Sequence, residues 1–78
     1  GISRLHEQKA QSENETIRKK GLAAEDIDDH RIHIDEHTRY ILSEYDELGE
    51  KEKENLYAHL KQHKEMLEIK KGEEENDG

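Results

Sequence analysis

His33-Ile34-Asp35-Glu36-His37-Thr38-Arg39-Tyr40-Ile41 and His59-Leu60-Lys61-Gln62-His63-Lys64-Glu65-Met66-Leu67 align without a gap, displaced by 26 residues. Both run histidine, aliphatic, two polar residues, histidine, two polar residues, a large side chain and a second aliphatic. A repeat of this kind takes precedence over any local reading. At about 100° per residue, a helix collects both histidines and both aliphatics of each copy on one stripe. That stripe is the face that must pack, so the pattern predicts two amphipathic helices meeting along a histidine-rich seam. His30 falls on the same stripe one turn before the first copy, which places five of the six histidines on the seam and leaves His6 as a surface residue.

Working outward from the first copy, Ile27, His30, His33, Ile34, His37, Ile41, Tyr45 and Leu48 keep helical spacing. They predict a helix from about Asp28 into the Glu44 to Glu47 region, capped by Asp26 or Asp28 and broken by Gly49. Ser43 could instead cap a separate short turn. From the second copy, Leu56, His59, Leu60, His63, Met66 and Leu67 predict a helix from near Glu50 to about Lys70, where Lys70-Lys71-Gly72 forms a stop signal. Two helices joined by a short glycine-containing connection pack antiparallel. The fold class is therefore all-α, an antiparallel helical hairpin over residues 27–71. Folding about Leu48-Gly49 brings His37 to His59 and Leu60, and His33 to His63. Ile34, Ile41, Leu60 and Leu67 are the expected core, with Tyr40, Tyr45 and Tyr57 at its rim.

The flanks are weaker. Ile2, Leu5, Ala10 and Ile17 form a thin apolar stripe interrupted by Ser12-Glu13-Asn14, and Lys19-Lys20-Gly21 resembles a helix stop. Residues 1–26 thus read as either a polar leader or a partial, frayed helix and linker, and residues 72–78 as a disordered acidic tail. Gly1-Ile2-Ser3, with no initiator Met, reads as a cleavage scar and the rest as a piece of a longer polypeptide.

With 78 residues, 28% hydrophobic and 44% charged, the chain holds one small domain with a limited core. It has no Cys, which excludes disulfides and thiolate chemistry. Neither a transmembrane run nor a signal peptide is present, so a soluble intracellular location is expected. A net charge of -8, spread along the chain, would be repelled by duplex nucleic acid and by an anionic membrane. The expected partner is protein.

His33, His37, His59 and His63 offer two i, i+4 pairs facing one another, a geometry that binds zinc or another imidazole-preferring divalent metal. Asp29, Asp35 and Glu36 are close enough in sequence to orient a ring or supply an oxygen. The alternative is packing, with neutral rings lying on Ile34, Ile41, Leu60 or Leu67. Packing is favoured of the two and no cofactor is assigned, because metal sites show an asymmetric ligand set with dedicated supporting groups, whereas a repeat multiplies one residue. A dinuclear iron site needs Glu-x-x-His pairs, which the stripe lacks. Ser3, Ser12 and Ser43 sit in no nucleophile motif and no phosphate loop occurs, so no enzyme is expected. Burial should hold the seam imidazoles neutral, the His37 and His59 pair above all, with carboxylates opposing at a more exposed His30.

The segment Asp28-Asp29-His30-Arg31-Ile32-His33-Ile34-Asp35-Glu36-His37, followed by a second His-x-x-x-His on a helix, resembles a C-terminal region of bacteriophage portal proteins. The resemblance spans roughly Ile27 to Leu67. It implies a fragment of the ring-shaped oligomer at one capsid vertex, with a structural role in head assembly and DNA packaging, other subunits or segments of the parent protein as partners, and a place in the virion or the bacterial cytoplasm. The wing, stem and clip of a complete portal are absent, so neither ring nor channel belongs to these residues.

Overall fold

The computed structural model describes residues 1–75, and these form three helices: α1 (Ile2–Lys20), α2 (His30–Glu44) and α3 (Glu50–Glu75). A turn of 3-10 helix, Tyr45–Glu47, closes α2. The protein is all-α, and α2 and α3 form the antiparallel hairpin that the repeat predicts: His37 meets His59, and His33 meets His63, at ring-centroid separations of 4.6 and 4.8 Å. Among the described residues no helix is long and apolar enough to cross a membrane.

Local chemistry sets the ends. Asp29 caps α2, its side chain accepting from the Ile32 amide at 3.1 Å. At α3, Glu52 reaches back to the Gly49 amide at 2.8 Å, the carboxylate half of a capping box. Arg18, Lys19 and Lys20 complement the C-terminal dipole of α1. Gly21 follows at φ 75° and ψ 159°, a conformation that is essentially glycine's alone.

Three expectations are corrected. Of the two readings of residues 1–26, helix and linker holds and leader does not, and the helix is neither partial nor frayed: α1 is continuous and docked against both others, burying Ala10, Asn14 and Ile17. The sequence Ser12-Glu13-Asn14 looked like an interruption because its side chains are polar, yet Glu13 and Asn14 face the equally polar histidine seam. Second, α3 runs through Gly72 to Glu75, where a stop and a disordered tail were expected; a lone glycine costs a helix only about 1 kcal/mol relative to alanine. Residues 76–78, the rest of that expected tail, lie outside the described residues. Third, Ile27 is 79% exposed, and Ile34 and Leu67 are only half-buried. The apolar core is Ile17, Ile41, Leu48, Leu56 and Leu60, with Ile34 and Tyr40 packed against it.

The register of α1 fixes the topology. Gln11 bonds Glu36, Asn14 meets His37 and Arg18 reaches Tyr40, so α1 runs parallel to α2. Glu13 lies by His59 and Arg18 bonds Glu52, so it runs antiparallel to α3. Residues 21–29 must therefore return along the length of the bundle, and they do so against α3. Leu22 meets His59, the Ala24 amide bonds Gln62, and the Asp26 carbonyl accepts from Lys70. The interior has two zones in consequence: an apolar one near Gly21 and Gly49, and a histidine one near the start of α1 and α2.

Candidate functional site: the histidine centre

All five seam histidines are buried, with His33, His37 and His63 fully enclosed. Each ring is positioned by a different element. The i, i+4 spacing on α2 sets His33 Nδ1 3.3 Å from His37 Nε2. The same spacing on α3 sets His63 Nε2 3.1 Å from His59 Nε2. One nitrogen from each of these four rings lies within 4.8 Å of the others. His30, expected to be more exposed, is buried and bonds His63 through Nδ1 at 2.8 Å.

The sequence reading missed the contribution of α1. Glu13 enters the centre from that helix, with Oε1 3.4 Å from His33 Nδ1, 3.5 Å from His37 Nε2 and 3.9 Å from His59 Nε2. Its other oxygen bonds Lys9 at 2.6 Å, and Lys9 also bonds Asp28 at 2.7 Å. Asp28, 2% exposed, stands on the far side of His33, with Oδ1 3.6 Å from its Nε2. Among the described residues, three buried side-chain polar atoms have no hydrogen-bond partner: Glu13 Oε1, His30 Nε2 and His33 Nε2. One signal in the sequence could have located Glu13: His6, Ala10, Glu13, Asn14 and Ile17 keep helical spacing if polar residues are admitted to the inner stripe.

The groups expected to support the rings do other work. Asp29 caps α2, Asp35 pairs with Arg39, and Glu36 pairs with Gln11 and Arg39. The ring partners are instead Asn14, whose Oδ1 lies 2.8 Å from His37 Nδ1, and the Leu22 carbonyl, 2.6 Å from His59 Nδ1. Both partners are acceptors, so both rings carry their proton on Nδ1 and turn the Nε2 lone pair to the centre. His6 is no bystander either, since its Nδ1 accepts from the Asp29 amide at 3.2 Å.

Burial dominates the electrostatics. It lowers the pKa of His37 to about 3, helped by the neighbouring rings of His59, His33 and His63 and opposed by Asp28. It lowers His63 to about 3 in the same way, helped by His59, His33 and His30. His33 is lowered by burial against the pull of Asp28 and Glu13, and His30 is lowered by burial and by Lys70 against three aspartates. Burial works to raise Asp28, but the bonds from Lys9 and the Glu25 amide hold it below its ordinary value. At neutral pH these four imidazoles are uncharged, with a lone pair available on each ring.

Comparison with known proteins finds no family model, no curated protein and no solved structure that matches this chain.

Proposed function

We propose that the chain is a non-enzymatic structural module serving assembly within a longer polypeptide, of the kind that the resemblance to the C-terminal region of phage portal proteins implies. One observation carries this reading. The segment that bears the resemblance spends its side chains inward: Asp28, His30, His33 and His37 are all buried and contact α1 and α3. The surface grooves are shallow and present at most the edge of this centre, as at Asp29, His30 and Lys70. Such an arrangement suits a part whose task is to hold a shape.

In that setting the partners are other segments or subunits of the parent protein, in the virion or the bacterial cytoplasm. The net charge of -8 argues against direct contact with DNA, even where DNA passes nearby. Expressing the parent polypeptide and following it through head assembly tests the reading. The protein should form ring-shaped oligomers and label one vertex of purified heads, and removing residues 1–75 should impair assembly or packaging. A parent protein absent from heads, or heads that form and fill normally without this module, would overturn it.

A further inference from the structure

We infer that the centre of the bundle binds one divalent first-row transition metal ion, held by His33 Nδ1, His37 Nε2, His59 Nε2 and His63 Nε2 with Glu13 Oε1 as fifth donor. This goes beyond the assembly role and does not depend on it.

The spacing is that of a ligand set. A metal bonded to imidazole at about 2.0–2.1 Å holds neighbouring donors roughly 3.3 Å apart. The two intrahelical pairs stand at 3.3 and 3.1 Å, and Glu13 stands 3.4 and 3.5 Å from the α2 pair but 3.9 Å from His59; the four ring nitrogens lie within 4.8 Å of one another, so α2, α3 and Glu13 draw slightly together on binding. Packing alone does not account for Glu13. Its Oε1 is buried with no hydrogen bond and stands 3.5 and 3.9 Å from Nε2 of His37 and His59, whose protons are committed to Asn14 and Leu22 on the opposite side. Lys9 bonds only the other oxygen of Glu13, so Oε1 is left as a buried acceptor without a partner, the kind of atom that a cation at the centre would satisfy.

Each ring also has its own supporting group on the nitrogen that would not bind metal. His37 has Asn14, His59 has the Leu22 carbonyl, His63 has His30, and His33 has Asp28. These four partners differ, and metal-binding histidines are held by such carboxylates, carbonyls and amides. Binding to the neutral rings requires only a change of tautomer at two ligands. The proton of His33 moves from Nδ1 to Nε2, which points it toward the Asp28 carboxylate, Oδ1 lying 3.6 Å away. The proton of His63 moves from Nε2 to Nδ1, and His30 moves its own from Nδ1 to Nε2 so as to accept. Each of these protons passes to the other nitrogen of its own ring, and none leaves the protein. The donor set of imidazole plus one carboxylate suits zinc, cobalt, nickel or iron, and with no thiolate it does not favour copper(I).

Zinc titration into the metal-stripped full chain at neutral pH tests the inference. Calorimetry should give one ion per chain, saturably, with the same apparent enthalpy in buffers of different protonation enthalpy. Ring-nitrogen NMR should show the metal at Nε2 of His37, His59 and His63 but at Nδ1 of His33. Asn14→Ala should weaken binding about 10- to 100-fold, and Glu13→Gln, which keeps side-chain size, should weaken it at least as much while the metal-free variant stays folded. Absence of stoichiometric binding would overturn the site. So would binding that Glu13→Gln and Asn14→Ala leave unchanged, or metal coordination at a ring nitrogen outside these four rings. The NMR readout needs no substitution, so it stands even if a variant unfolds.

Discussion

His37 holds Asn14 on one nitrogen and faces Glu13 and His33 with the other, and burial keeps it uncharged down to about pH 3. His63 is in the same state. In the unfolded chain both rings titrate near 6.5, so between that value and about 3 the unfolded state binds more protons than the folded one. The stability of the metal-free protein is then fully present above about pH 6.5 and falls as pH drops through the window. The slope is about 1.4 kcal/mol per pH unit for each extra proton taken up by the unfolded chain. Asp28, with its pKa lowered, adds stability that is kept above its unfolded value of 3.8 and lost only at lower pH. Thermal melts should show a lower midpoint at pH 5.5 than at pH 7; a rise would mean that the rings are charged inside the fold. The apolar zone makes a second prediction at this scale. Leu56→Ala or Ile17→Ala should cost about 2–5 kcal/mol in denaturant titration, whereas exposed Ile27→Ala should stay within about 0.5 kcal/mol.

At the scale of elements, two glycines make opposite predictions. Gly21 sits at a positive φ where a side chain is strained, so Gly21→Ala should destabilise the protein by about 1–3 kcal/mol. Gly72 lies inside α3 with nothing near an added Cβ, so Gly72→Ala should be neutral to stabilising, by up to about 1 kcal/mol. Both were stop signals of the same form in the sequence, cations followed by glycine. What separates them is tertiary: residues after Gly21 have α3 to run against, while Glu73–Glu75 have no competing partner and continue the helix. The hairpin was legible because apolar and histidine positions repeat with helical spacing on both strands of the repeat. The span of α1 and its stop at Gly21 were legible too, but its docking was not, because its inner face carries Lys9, Glu13 and Asn14, which score as solvent-facing until the polar zone they complete is known. The four candidate ligands were legible from spacing alone. Glu13, Asn14, Asp28 and the Leu22 carbonyl were not, since they come from a helix and a linker whose register no local pattern encodes.

For the whole molecule, α1 is required. It supplies Ile17 to the apolar zone and Asn14, Glu13 and Lys9 to the polar one, and Arg18 ties Tyr40, Glu52 and the Glu47 carbonyl together. A chain lacking residues 1–20 would expose Leu56 and the buried faces of five imidazoles, and it should lose most of its helical circular dichroism. A hairpin that stays fully helical and melts cooperatively would show that α1 merely decorates it.

Because residues 21–29 return along α3, the first residues of α1 and the last turns of α3 emerge at one end of a body 46 Å long. That gives the fold a mechanical character. A pull applied between these two ends opens α1 from α3 in the manner of a zipper, loading one layer of contacts at a time. The first layers to meet the load are Lys9 with Asp28 and then the imidazole cluster, while the aliphatic layer around Leu48 and Leu56 is shielded until last. The histidine centre is therefore the latch of the bundle, and whatever strengthens it sets the force at which the module yields.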